Sequence, residues 1–397
     1  MFFTVLVAAL GYFVDIYDLI LFSIVRGKSL ASLGLSPAEV LDQGVFVFNM
    51  QMIGMLLGGL VWGILGDKRG RLSVLFGSIL LYSVANIANG FVHSVGQYAV
   101  LRFVAGVGLA GELGAGITLV TEIMGRESRG YGTTIVASIG ILGAVVAALV
   151  GDAFSWQVAY FVGGGLGLGL LLLRIGLFES GMFEGVKASG VSRGNFLLLF
   201  KTWSRAKRYL SIIFMAVPIW YGIGILVTFS PEIAKAMGTA PLPKAGTAVM
   251  LAYIGLCVGD LASGALSQFM RSRKKVVGIF MSLTAASIAL YFVIGGVSQT
   301  VFYASCVVLG FSAGYWAIFV TMASEQFGTN IRATAATTAP NFVRGAVVLL
   351  TLSFKALKVS LGAREAAIVV GVGTLIVAAV SLLSLGETFG KDLDFVE

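Results

Sequence analysis

Twelve apolar runs of about 20 residues or more constrain this chain more than any other feature. They fall near 3–25, 45–66, 73–91, 97–124, 131–154, 157–177, 209–230, 246–270, 276–296, 300–324, 333–355 and 365–386. A run of that length crosses a hydrocarbon core of about 30 Å as helix, where no water satisfies exposed backbone amides, so each run is expected to be a transmembrane helix. A polar stretch near 178–208 leaves six runs on either side. The expected fold is an all-α membrane protein of twelve transmembrane helices in two pseudo-symmetric bundles, residues 1–177 and 209–397, joined by a cytoplasmic linker at 178–208. Hydrophobic residues at 58% and charged residues at 12% exclude an ordinary water-soluble domain, where about a quarter of residues are charged.

With both termini placed in the cytoplasm, 18 of the 27 Lys and Arg fall in cytoplasmic segments and 7 outside, leaving Arg102 and Arg344 within spans. This asymmetry follows the positive-inside bias. The net charge of +8 is then a set of loop anchors facing anionic lipid, and no nucleic-acid partner is implied. Cys257 and Cys306 both lie inside spans, too few for a disulfide framework or a zinc site. No metal, cofactor or enzymatic constellation of nucleophile, base and orienter is evident. Gly106-x-Gly108-x-x-Gly111 has the letters of a dinucleotide fingerprint but lies within a membrane run with no preceding strand.

The chain also repeats itself. Glu122-x-x-Gly125-x-x-x-Arg129 recurs as Glu325-x-x-Gly328-x-x-x-Arg332. Each copy follows a second shared signature, Gly63-Ile64-Leu65-Gly66-Asp67-Lys68-Arg69-Gly70-Arg71 in the first half and Gly264-Ala265-Leu266-Ser267-Gln268 with Arg271 to Lys275 in the second. Asp67 precedes Glu122 by 55 positions and Gln268 precedes Glu325 by 57. Matched landmarks at matched spacing indicate two equivalent bundles, and the loss of the acid at Gln268 makes the halves unequal.

The Gly63 to Arg71 run resembles the loop between helices 2 and 3 of the major facilitator superfamily. Gly11-Tyr12-Phe13-Val14-Asp15-Ile16-Tyr17-Asp18, and Arg102 with Gly106, Gly108, Gly111 and Glu112, resemble that superfamily's metabolite:proton and phosphate:proton symporter branches. Ala110 replaces a glycine usual there, and Leu113-Gly114 replaces the Tyr-Pro pair of phosphate symporters, which disfavours phosphate. The resemblance implies alternating access by two rocking bundles, proton coupling through acids of helices 1 and 4, and an organic anion held by a basic residue of helix 11.

Ionisable groups at mid-membrane cost a few kcal/mol and are functional candidates by default. Asp15, Asp18 and Glu112 are the candidate proton carriers, with Asp15 and Asp18 three apart on one face of helix 1. Arg344 cannot shed its charge and can grip a carboxylate through two parallel hydrogen bonds, or else pair permanently with Asp260. Arg102 can likewise tie down Asp15 or Glu112. Tyr12, Tyr17, Trp220, Tyr221, Tyr315, Trp316, Gln51 and Asn341 are candidate substrate contacts. Gly63, Asp67, Gly70, Arg71, Glu122, Arg126, Arg129, Glu325 and Arg332 are expected to latch the cytoplasmic ends of the bundles and release when they rock. The expected protein is a monomeric, proton-coupled importer of a small mono- or dicarboxylate in a bacterial inner membrane. Rival readings are a carrier of an organic cation, zwitterion or drug held by Asp15, Asp18 and aromatic faces, a phosphate carrier, and a non-transporting receptor.

Overall fold

The computed structural model describes residues 2–125, 128–173, 194–392 and 394–396, and is helical throughout the crossings. The first half contains α1 (Phe2–Ser32), α2 (Pro37–Arg69), α3 (Arg71–Asn89), α4 (Val95–Leu109), α5 (Glu112–Ile123), α6 (Arg129–Ile141), α7 (Gly143–Ala153) and α8 (Trp156–Leu173). The second contains α9 (Trp203–Tyr221), α10 (Ser230–Ala236), α11 (Ala245–Met270), α12 (Arg273–Ile294), α13 (Gln299–Ser312), α14 (Trp316–Glu325), α15 (Arg332–Leu361) and α16 (Ala363–Ser384). Of the expected linker, residues 178–193 lie outside the described residues.

Among the described residues, eleven segments are both long and apolar enough to cross a membrane. The twelfth crossing is α15, 30 residues long but more polar, because it carries Arg332, Asn341, Arg344, Lys355 and Lys358. Two helices extend beyond the expected spans. α1 continues through Arg26 and Lys28 to Ser32, and α2 begins at Pro37, where the Glu39 carboxylate accepts the Ser36 amide at 2.9 Å. Such a reciprocal cap starts a helix in water, before the apolar run begins.

Three crossings expected as single helices are interrupted: α4 to α5 at Ala110–Gly111, α6 to α7 at Leu142, and α13 to α14 at Ala313–Tyr315. At the last of these, a side chain on Gly314 would strike the backbone of Gly259 on α11. The two segments touch backbone to backbone there, a closeness that small residues permit in membranes. The seventh crossing changes character after α9, where Gly222–Val227 widen into a π turn.

In the first half α2 packs on α4, α3 on α4 and α8, and α1 on α6, α7 and α8; in the second, α11 packs on α13, α12 on α13, and α9 on α15 and α16. The halves meet chiefly along two seams, α2 and α5 against α15 and α6–α7 against α11. The glycine stripe of α2 serves both kinds of contact. Gly54 and Gly58 face α4, whereas Gly59 and Gly63 face Asn341 and Thr334 of α15.

Candidate functional site

Arg344 lies about three turns into α15, is buried, and has its guanidinium carbon 5.7 Å from the ring centroid of Trp220 and 5.4 Å from that of Trp316. The two indoles are 6.3 Å apart and inclined at 62°. Asn341, one turn earlier, binds the carbonyls of Ala110 at 2.8 Å and Thr337 at 2.7 Å through its amide, and its oxygen faces Arg344 Nη1 at 3.5 Å. It thus holds α15 against the α4–α5 break and orients the guanidinium. Among the described residues Arg344 Nε and Nη2 have no hydrogen-bond partner, which leaves these donors open to a ligand.

Trp316 Nε1 donates across the halves to the Tyr12 hydroxyl at 2.9 Å. Tyr12 is also within electrostatic reach of Arg344, Asp15 and Asp260, so these groups form one cluster. The cavity beside them, lined by Tyr12, Ile16, Ile141, Ile219, Trp220, Ile223, Tyr253, Leu256 and Trp316, has a volume of about 10 Å³. That barely holds one water molecule. The centre is therefore collapsed, and a solute enters only if one end opens.

Asp260 and Arg344 do not form an ion pair. One Asp260 oxygen instead accepts the Ala317 amide at 3.1 Å, capping the first turn of α14 where the helix restarts after its break. Arg102 also departs from the expected pairing with Asp15 or Glu112. It sits ten residues before Glu112 in the same crossing, about 15 Å along a helix axis. Its guanidinium donates to Asn86 Oδ1 at 2.8 Å, the Asp18 carbonyl at 3.2 Å and Gln51 Oε1 at 3.3 Å, and lies over the Tyr160 ring at 5.4 Å.

The two acids of α1 thus face different surroundings. Asp15 belongs to the Tyr12 cluster, whereas Asp18 is buried inside the first half, its carboxylate against Gly163 and in the field of Arg102 and Asn86. Among the described residues neither Asp18 oxygen has a hydrogen-bond partner by distance and angle. Glu112, the first residue of α5, is also buried.

Several candidates are not brought to the centre. Tyr17 donates to Ala159 O at 2.9 Å, Tyr221 to Ala367 O at 2.5 Å, and Tyr315 to Met215 O at 3.2 Å; each hydroxyl ties helices within one half. The Gln51 amide donates to Leu19 O at 3.0 Å. Tyr253 lines the central cavity and was missed, although it lies seven residues before Asp260 on α11 and so shares its face.

At the Asp67 end, the carboxylate accepts the amides of Ala333 at 3.1 Å and Thr334 at 2.7 Å and the Thr334 hydroxyl at 2.7 Å. An anion thus sits on the N-terminus of α15, where unpaired amides and the helix dipole favour it. Arg71 supports it at 3.4 Å and reaches Glu122 at 2.7 Å, and Arg332 joins Glu122 at 3.3 Å. Gly63 receives Thr334 on its carbonyl at 3.2 Å. Gly70 has φ 102°, a conformation that favours glycine.

The second half rebuilds this arrangement with a residue not singled out from sequence: Arg273 pairs with Glu325 at 3.2 Å, as Arg71 does with Glu122. Gln268 lies at Gly130 in the first turn of α6, the counterpart of Asp67 at α15, but brings an uncharged amide. Arg126 lies outside the described residues, and for Arg129 only its place at the start of α6 is described.

The opposite end is also fastened. Arg26 of α1 meets Glu232 of α10 at 2.7 Å and lies 4.7 Å from the Phe229 ring centroid, and Lys355 of α15 meets Asp42 of α2 at 2.7 Å. Both ends are latched across the halves around a closed centre, the geometry of an occluded carrier.

Comparison with known proteins agrees with this architecture. The sequence profile of the Major Facilitator Superfamily matches residues 1–352. The chain belongs to that superfamily. Membership makes it a membrane transporter and not an enzyme. It is 28% identical over 325 residues to the 3-(3-hydroxy-phenyl)propionate transporter of Escherichia coli (strain K12), covering 79% of this chain and 78% of that one. It is 24% identical over 428 residues to the niacin transporter NiaP of Acinetobacter baylyi (strain ATCC 33305 / BD413 / ADP1), covering 98% and 95%. The structure of the proton:xylose symporter XylE superposes with a TM-score of 0.75 over 99% of this chain and 97% of that chain, at 17% identity, a likeness of fold.

Proposed function

We propose that this transporter imports a small organic monocarboxylate with an aromatic or heteroaromatic ring, coupled to protons, by alternating access. The observation that carries the reading is Arg344, whose Nε and Nη2 have no hydrogen-bond partner among the described residues and whose guanidinium lies over the rings of two adjoining tryptophans. A carboxylate takes the two donors as a fork, and the indoles supply faces against which a planar ring packs. The relatives named for niacin and hydroxyphenylpropionate support a ring-bearing acid. An organic cation is opposed by the guanidinium in the same cluster.

Asp18, Asp15 and Glu112 are the proposed proton carriers. All three carboxyls are buried in the occluded structure, and opening of either end would bring them to water, where protons are exchanged. In this reading the Asp67 end is cytoplasmic, with both termini on that side of an inner membrane. Residues 1–177 and 209–397 rock as two bodies of one monomer, and the Asp67 latch and the Arg26–Glu232 pair part in turn.

The test is uptake of labelled nicotinate and 3-phenylpropionate into proteoliposomes under an inward proton gradient. Arg344→Ala abolishes both uptake and counterflow, and Arg344→Lys, which keeps the charge but not the fork, lowers affinity at least about tenfold. Asp18→Asn abolishes accumulation but retains counterflow. Undiminished uptake by Arg344→Ala overturns the anion site, and undiminished accumulation by a triple Asp15→Asn, Asp18→Asn, Glu112→Gln variant overturns the proton coupling.

A further inference from the structure

A second cavity, of about 240 Å³, lies in the α2–α15 seam at the end opposite Asp67. Its apolar walls include Leu41 and Val45 of α2, Phe229 after the π turn, and Phe354 of α15. The polar lining is cationic on balance: Lys355 is neutralised by Asp42 at 2.7 Å, whereas Lys358 has no ion-pair partner among the described residues.

Three features define what fits. The volume is just below the usual range of small-molecule sites, about 300–1,000 Å³, and suits one ring with a short chain. The apolar faces select a hydrophobic body, and Lys358 selects one negative charge. The walls come from both halves, so the cavity exists only while this end is closed. A ligand there has higher affinity for the closed end than for the open one and shifts the population accordingly.

We infer that this seam cavity is a binding site for an amphipathic monoanion, separate from the Arg344 centre, which holds this end of the carrier shut when occupied. The inference stands on the seam residues and does not require the proposed substrate. The anion arrives either dissolved in water or as the headgroup end of an anionic lipid whose chains stay in the adjoining leaflet.

The experiment is calorimetric titration of the purified full chain in nanodiscs with 4-phenylbutyrate as probe. It compares wild type with Arg344→Ala, which removes the central grip, with Lys358→Gln, and with Val45→Trp, which fills the cavity. The expected result is affinity retained in Arg344→Ala and weakened at least about tenfold both in Lys358→Gln, as loss of a charged partner implies, and in Val45→Trp, where the indole takes the ligand's space. Absence of binding to wild type, or binding lost in Arg344→Ala and unchanged in the two seam variants, overturns the site. Discs of phosphatidylcholine with and without phosphatidylglycerol identify the source. Weaker probe binding with phosphatidylglycerol, seen in wild type but not in Lys358→Gln, supports a lipid occupant, and equal binding in both discs supports a soluble one. Failure of the transport reading appears separately, as unimpaired transport by Arg344→Ala.

Discussion

Replacing Asp67 by asparagine removes one charge from a buried latch while keeping its shape, and the structure fixes the expected size of the effect. The carboxylate receives two backbone amides of α15 and the Thr334 hydroxyl, at 2.7 to 3.1 Å. Hydrogen bonds to an ionised group contribute about 1.5–3 kcal/mol each and neutral ones about 0.5–1.5. The substituted carboxamide offers one accepting oxygen, and its NH₂ group confronts the remaining donors. A charge at a helix N-terminus adds about 0.3–1 kcal/mol that the carboxamide forfeits. The closed state at this end is then weakened by about 2–4 kcal/mol relative to the open one, roughly a 30- to 1,000-fold shift. Spin labels on exposed Arg69→Cys and Lys275→Cys, with Cys257 and Cys306 replaced, report the separation of the two halves by pulsed electron resonance. The Asp67→Asn protein should populate a longer distance that wild type lacks. A distribution identical to wild type refutes the reasoning that Asp67 holds α2 to α15.

The opposite end obeys the same logic with a smaller contact. Arg26→Gln removes the pair with Glu232 and the stacking on Phe229, and should open that end by about 1–2 kcal/mol, seen as faster labelling of a cysteine placed at Ile219 in the central cavity. Gly70→Ala places a side chain at φ 102° and should destabilise the α2–α3 turn by about 1–2 kcal/mol, read as a lower melting temperature with little change in substrate affinity. Glu387, outside the membrane helices, is opposed by burial, yet the Ser272 hydroxyl and the amides of Phe389, Arg273 and Thr388 outweigh it and hold its carboxyl below the ordinary 4.5. A depressed carboxyl contributes stability above its unfolded pKa and loses it as pH falls through the folded value. Acid should therefore cost wild type more stability than Glu387→Gln, and identical acid-melting profiles would show that this tail contact contributes nothing.

The crossings were legible because hydrophobic length is a local property, satisfied or not within about 20 residues. The repeat was legible for a related reason: the Asp67 and Gln268 signatures recur at fixed spacing from their glutamates, and spacing survives in one dimension. The breaks at Ala110–Gly111 and Leu142 were not legible. Gly314 before Tyr315-Trp316 reads as a place where the tenth crossing can bend, but the reason for the break is plain only when Gly259 of another helix is placed against it. Nor did the letters distinguish Tyr12, Trp220 and Trp316, which converge on Arg344, from Tyr17, Tyr221 and Tyr315, whose hydroxyls bind carbonyls inside one half.

The order of residues alone was enough to specify a two-bundle helical membrane carrier with a few costly charges, because the bilayer imposes length, apolarity and charge bias on each segment independently of its neighbours. What those charges do was settled by packing between crossings. Asp260 caps a broken helix, Arg102 binds polar neighbours inside the first half, Asp67 fastens the two halves, and Arg344 retains open donors. Each role depends on which side chains from distant crossings lie within about 3 Å, the reach of a hydrogen bond, and periodicity along one helix carries no record of its neighbours.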